Sequence, residues 1–438
     1  MRRVKSLRSS SSLESLPLSV AIAGLRGRFA QESNHHAPSM NRKEFLRSLS
    51  AVSFLECLPL PNVTAAAAHA GSFKVAVIGH TGRGNFGHGL DSMWANVDGV
   101  QVVAICDAGA GARGVDISRY PQAKPYEDYH RMLSEVKPEI VAIGPRHVDQ
   151  HFEMSLASAQ AGVRGVYMEK PFVRDLREAD ELVAACGRTG MRLAVAHRNR
   201  YHPALPLLKG MLSDGKFGKL VEIRCRGKED ARGGALDLWV LGSHVLNLAA
   251  FLGGKPVACS AGVFQDGQPV ERKHVKEGEE GIGLMAGTEV HARFELESGV
   301  PLFFDSVKNN GQKTSGFGVQ LICSEAVVDL RMDMEPMIHV RKGNPFNPTL
   351  GAIPWVPLTS GGIGVVEPLK DIKQLVAGHG LPARDLLESI RNGRDPLCGV
   401  GEATTIIEMI ASVFESHRLG GSRVSLPLQN RVNPLSLM

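Results

Sequence analysis

Three groups of residues have the types and spacing to do chemistry. Glu169-Lys170-Pro171 closes the short apolar run "GVYM", so a charged pair stands at the end of a strand-like stretch. Such a pair is costly at a buried strand end unless it is matched or used, and open α/β sheets bind ligands beyond the carboxyl ends of their strands. A solvated strand end explains the tripeptide alone, so its surroundings decide. The second group is the glycine series at 79, 82, 84, 87 and 89, directly after the apolar run of residues 73–78. A strand, a glycine loop and a helix form the first unit of a dinucleotide-binding fold, in which helix amides hold the pyrophosphate. The third is His244, inside the apolar helical run "LWVLGSHVLNLAAFLG", where Val240, Val245, Leu248 and Phe251 supply a packing face; taken alone it reads as a satisfied structural histidine, so its surroundings decide here too.

Two glycine registers compete. Gly79-x-Thr81-x-x-Gly84 starts at the strand end but has Thr as its second member, whereas Gly82-x-Gly84-x-x-Gly87 fits every letter and starts three residues late. The first is preferred, because the tight turn must follow the strand, and Gly82, beside Arg83, still lets the backbone approach a phosphate. The next strand, "VQVVAIC", ends at Asp107, 28 residues beyond Gly79. A carboxylate there bonds adenosine ribose hydroxyls and favours NAD over NADP, while nearby Arg113 leaves NADP open.

The elements that must position these groups alternate. Helical "YEDYHRMLSEV", strand "EIVAI", helical "VDQHFEMSLASAQAG", strand "GVYM", a helix opened by the D-x-x-E box of Asp175 and Glu178, and strand "RLAVAH" follow in order. Strands alternating with helices imply an N-terminal Rossmann domain with a doubly wound parallel sheet, and Leu176, Ala179, Leu182, Val183 and Cys186 give its last helix an apolar face. Later runs such as "KLVEIRCRG", "GTEVHARFEL", "VPLFFDS", "FGVQLICS" and "VVDLRM" read as strands.

Together the glycine loop, Asp107, "EKP" at 169–171, "RNRYHP" at 198–203 and "GSHVLN" at 242–247 resemble the Gfo/Idh/MocA family of oxidoreductases, over residues 73–428. The resemblance implies residues 71–199 as an NAD(P)-binding Rossmann domain. It implies residues 200–438 as a substrate-binding and oligomerisation α/β domain on a large, mostly antiparallel sheet. It further implies a nicotinamide-dependent oxidoreductase acting on a secondary hydroxyl of a sugar, cyclitol or derivative. Lys170 and His244 would be catalytic, Pro171 would follow a cis bond that aims the lysine, and Glu169 would orient Lys170 or meet the nicotinamide ribose. Arg200, His202, Asp237 and Asn247 are the substrate-side candidates, although a solvated turn explains Arg200 and His202 equally well. One departure concerns the histidine: Val240 stands where the family commonly has Asp one turn earlier, and Asn247 replaces another frequent Asp. Two further functions stay open: a glycosidase or lyase that oxidises transiently with tightly bound NAD, and a non-catalytic cofactor-binding protein.

Composition bounds the rest. The net charge of +5 resides in residues 1–70, and the remainder is balanced, so nothing global points to nucleic acid. The seven cysteines show no metal-ligand spacing, and His147 with His151, one helical turn apart, lack a third ligand. No metal site and no membrane span in the body are expected. Residues 1–39 are rich in Ser and Arg, and from Met40 a basic opening, an apolar middle and Ala68-His69-Ala70 read as an export signal. "RKEFL" is similar to the twin-arginine pattern, with Lys43 where a second Arg is usual. The expectation is a periplasmic protein, or a cytoplasmic one if residues 1–70 are no signal, and a homo-oligomer.

Overall fold

The computed structural model describes residues 72–110, 116–311, 317–347 and 351–438. The leader, with the export reading, and Arg113 lie outside the described residues.

Six strands form a parallel sheet: β1 (Phe73–Gly79), β2 (Val100–Asp107), β3 (Lys124–Tyr126), β4 (Ile140–Ile143), β5 (Gly165–Met168) and β6 (Arg192–Val195). Their order, β3-β2-β1-β4-β5-β6, reverses direction between β1 and β4. The carboxyl ends of those two strands therefore flank the crevice where such sheets bind ligands. Helices α1 (Tyr129–Val136), α2 (His151–Gln160) and α3 (Leu176–Thr189) fill the connections after β3, β4 and β5. Asp175 caps α3 by accepting the N–H groups of Arg177 (3.1 Å) and Glu178 (3.0 Å). The other half of the box is displaced, because Glu178 accepts the Arg174 N–H (2.9 Å) and pairs with the Arg174 guanidinium. Val183 is 40% exposed and lies off the buried face expected for it.

The second half begins with α4 (Ala204–Ser213), β7 (Leu220–Arg226), α5 (Ala235–Gly253), β8 (Pro256–Gln265) and β9 (Gln268–Pro269). Short strands β10 (Lys276–Glu277) and β11 (Leu284–Met285) pair with each other. They are followed by β12 (Glu289–Leu296), β13 (Pro301–Val307), β14 (Gly318–Cys323), β15 (Ala326–Arg331), β16 (Ile338–Lys342), β17 (Val356–Thr359) and β18 (Gly362–Ile363). Helices α6 (Ile372–Ala377), α7 (Gly380–Asn392) and α8 (Val400–Arg418), then β19 (Val424–Ser425), complete the chain. An eleven-stranded sheet runs β18-β17-β16-β15-β14-β7-β13-β12-β8-β19, with β9 on β8, and is antiparallel except at β7 and β13. In β12 the alternation is complete: Val290, Ala292, Phe294 and Leu296 point to the core, while Glu289, His291, Arg293 and Glu295 form ion pairs on the other face. By length and composition α5 could cross a membrane, but two-thirds of it is buried in this core.

The covering of β1 departs from expectation. Ala76 and Ile78 face the core shared with α1, α2 and α3, whereas Phe73, Val75 and Val77 face a second core. No α-helix follows the glycine loop to close that second core. Residues 80–92 make turns, and only the 3-10 helix Met93–Asn96 comes before β2. Gly82, Gly84, Asn85, Gly87 and Gly89 all have positive φ (85, 90, 52, 63 and 96°), which a right-handed helix does not tolerate. Trp94 from the 3-10 helix, with Ala383, Leu386 and Leu387 of α7, covers the face instead. Residues 380–392, assigned from sequence to the second domain, thus complete the first.

Helix α8 packs against both β8 and α3 and so belongs to both halves. Its Phe414 is buried. Phe414→Ala is expected to cost about 3–5 kcal/mol, read as a lowered urea midpoint common to probes in both halves.

Candidate active site

The glycine loop is fastened at three points. Asp107, at the end of β2, accepts the Thr81 N–H (2.7 Å) and hydroxyl (2.6 Å) and the N–H groups of Gly109 (3.0 Å) and Ala110 (3.1 Å). Burial pushes its carboxyl up, but these hydrogen bonds outweigh burial and hold it below the usual carboxylate range. Oδ1 takes three donors and Oδ2 one, so Oδ2 keeps a free lone pair. Arg83 pairs with Asp149 (2.6 Å) and His80 lies 2.6 Å from Gln150, which tie the loop to the entrance of α2. Gly84 lies against the backbone of Arg146, where a Cβ would come within 2.3 Å of its nitrogen. Gly79 lies under the Phe86 ring, at 2.3 Å from the position of a Cβ.

The third fastening is Glu169, one residue past β5. Its carboxylate accepts the backbone N–H of His88 (3.0 Å) and of Lys170 (2.7 Å) and pairs with the His88 ring. Burial opposes the charge, yet the His88 hydrogen bond and the positive Lys170 bring the carboxyl down to about 2. Gly87 must be glycine, since φ is +63° and a Cβ would stand 2.5 Å from Glu169 Cγ. The Lys170-Pro171 bond is cis. The buried ring of His151 reaches the carbonyl of Pro171 with Nδ1 (2.8 Å) and that of Pro145 with Nε2 (2.7 Å). The exits of β4 and β5 are therefore lashed together beneath the crevice.

Lys170 points across to the second half and donates to the Val240 carbonyl (3.2 Å). That carbonyl belongs to a π-helical turn, Leu238–Gly242, inside α5 and just ahead of His244. Single π turns recur at functional sites because they re-aim the residues that follow. Burial lowers the Lys170 ammonium below its ordinary value, against the opposing pull of Glu169. His244 is half-buried, and burial and then the charge of Lys170 keep its pKa well below 6.5. Its ring meets that of His197 edge to face, with centroids 5.4 Å apart and planes at 88°. Nδ1 of each ring has no hydrogen-bond partner. His197 is buried and is brought to about 3 by burial and Lys170.

Each of the four substrate-side candidates has at least one partner inside the protein, but Arg200 Nε, Asp237 Oδ1 and Asn247 Nδ2 are buried without a hydrogen-bond partner among the described residues. The Arg200 guanidinium lies 3.2 Å from the centroid of Phe251. His202 accepts the Ala204 N–H at Nδ1 (3.2 Å), so Nε2 carries the proton and donates to Glu335 (3.3 Å). Asp237 is buried and accepts from Ser306 (2.7 Å) and the Glu229 N–H (3.0 Å), and burial raises its pKa. Asn247 faces Cys398 Sγ at 3.9 Å. The structure brings together Glu169, Lys170, Pro171 and His244. His88, His197 and Arg146 did not stand out in the sequence. His197 follows β6 as Glu169 follows β5, so the strand-end rule that picked out "EKP" also reaches it.

A bound dinucleotide fits this chain: the glycine loop presents left-handed backbone at the reversal of strand order, and the space before Gly82, where a Cβ would stand, is open within 4 Å. Residues 73–197 match the Gfo/Idh/MocA profile, described as an oxidoreductase family with an NAD-binding Rossmann fold. D-apiose dehydrogenase of Paraburkholderia graminis is 31% identical over 192 residues, which cover 42% of this chain and 50% of that protein. Inositol 2-dehydrogenase of Salmonella typhimurium is 28% identical over 132 residues, 30% of this chain and 39% of that one. The chain thus spans half or less of these curated relatives. Among solved structures, levoglucosan dehydrogenase in complex with NADH and L-sorbose superposes with a TM-score of 0.64 at 17% identity, covering 82% of this chain and 99% of that one. An oxidoreductase of Agrobacterium radiobacter in complex with NAD+, L-tartaric acid and magnesium gives 0.59 at 16% identity, over 81% and 98%. These likenesses establish the shared fold.

The neutral histidines set a pH dependence. Native His197 titrates at about 3 against an ordinary 6.5, so between those values the unfolded chain binds a proton that the native one does not. Stability therefore falls as pH drops below 6.5, by about 1.4 kcal/mol per pH unit for each such group. His197→Phe is expected to flatten the decline of the urea midpoint between pH 6.5 and 5 by one group's share, whereas an unchanged slope would show that His197 is protonated in the native state.

Proposed function

We propose that this chain, whose residues 73–197 belong to the Gfo/Idh/MocA oxidoreductase family, is a nicotinamide-dependent dehydrogenase acting on a secondary hydroxyl of a sugar or cyclitol. The observation that carries the proposal is the meeting of Lys170, from the Rossmann half, with the π turn of α5 that presents His244. Two protonatable groups from different halves thereby converge at the carboxyl end of β5, next to the glycine loop.

Oxidation of an alcohol removes a hydride from carbon and a proton from oxygen. The nicotinamide supplies the hydride acceptor when bound, so the protein's share is the proton. The His244 ring, half-buried and neutral at physiological pH, takes the hydroxyl proton. Lys170 binds the same oxygen as a donor, steadying the charge that develops there; Glu169 and the Val240 carbonyl fix its two ends. Without a carboxylate at position 240, the charged groups about His244 are cationic, led by Lys170, which favours the neutral ring.

In the same proposal NAD is preferred to NADP, because the Asp107 carboxylate at the end of β2 repels a ribose 2′-phosphate. The names of the related dehydrogenases support polyhydroxylated substrates.

Lys170→Ala and His244→Ala are each expected to lower turnover by about 10²–10⁴-fold on a substrate drawn from aldoses and cyclitols. NADH affinity, read by fluorescence titration, should change little. Equal turnover in the wild type and both variants would remove the proposed roles. NADH binding without turnover in any of the three proteins would point to a non-catalytic cofactor-binding protein.

A further inference from the structure

We propose that Arg146 supplies the positive charge that holds the cofactor's pyrophosphate, in place of the helix N-terminus that this chain's glycine loop lacks. The inference rests on the nicotinamide reading above. In a dinucleotide fold the helix that follows the glycine loop directs its free N–H groups and its dipole at the pyrophosphate. Here that helix is replaced by turns through residue 92. The four-residue 3-10 helix that follows has its first two residues, Met93 and Trp94, buried in the core. The dianion must find its counter-charge elsewhere.

Arg146 stands in the right place. It lies three residues past the end of β4, across the strand-order reversal from the loop after β1. The two loops touch: a Cβ on Gly84 would be 2.3 Å from Arg146 N and 2.7 Å from Arg146 Cβ. The side chain of Arg146 is exposed and makes no ion pair among the described residues. Two other arginines near the crevice are committed, Arg83 to Asp149 (2.6 Å) and Arg232 to Asp230 (2.5 Å). The charge of Arg146 also reaches the site, since it helps to lower both Lys170 and His147. A guanidinium offers paired donors that match two phosphate oxygens, and it needs no helix to aim it.

The test uses the full-length chain. NADH binding is followed by fluorescence and ADP-ribose binding by calorimetry, at several salt concentrations, for the wild type, Arg146→Ala and Arg146→Lys. Arg146→Ala should weaken both ligands by about ten- to a hundredfold and make the salt dependence shallower, with Arg146→Lys recovering part of the loss. The urea midpoints of the three proteins should agree. Unchanged ADP-ribose affinity in Arg146→Ala overturns the proposal, including the case in which only the KM for an anionic substrate rises. Failure of Arg146→Lys to recover any affinity overturns it as well. A wild type that binds neither NADH nor ADP-ribose removes the nicotinamide reading, and this inference with it.

Discussion

The buried carboxylate of Glu169 is the interaction on which the rest of the site depends. A charge removed from water must be matched, and this one is matched by three donors at once: the backbone and ring of His88 and the backbone of Lys170. His88 closes the glycine loop and Lys170 opens the exit of β5. One carboxylate therefore fixes the distance between the loop that approaches a dinucleotide and the lysine that faces the second half of the chain. Gly87 has no side chain because that connection leaves no room for one.

The same economy of space explains the unusual cover of the first sheet. A loop with left-handed residues at 82, 84, 85, 87 and 89 stays close to the strand ends but cannot run on into an α-helix. The apolar face of β1 still has to be buried, and the chain meets that need from 280 or more residues away with Ala383, Leu386 and Leu387 of α7. His379, just ahead of α7, lies 2.7 Å from the Tyr167 hydroxyl of β5, so the returning helix is anchored to the strand that carries "EKP". Packing and site geometry are consequently coupled through a segment remote in sequence.

Much of this was legible from local pattern. Strand runs, their alternation with helices, the Asp107 strand end and the placement of "EKP" follow from periodicity and from the chemistry of charge at a strand end, and the structure realises them. What escaped was set by direction and by distance. The family resemblance offered Arg200, His202, Asp237 and Asn247 as substrate-side candidates, but only packing decides that Arg200 turns onto Phe251 and that Asp237 turns toward Ser306. The missing helix turns on the backbone sign of Asn85 and its neighbouring glycines, and the glycine pattern admits both outcomes. The return of α7 is a long-range contact, for which a single sequence carries no local signal.

The most direct measurement is a crystal structure of the protein with NADH bound. The account predicts the nicotinamide ring between Lys170 and His244, with the pyrophosphate at the glycine loop after β1. A nicotinamide lying away from Lys170, or a nucleotide bound outside the crevice between β1 and β4, would contradict it.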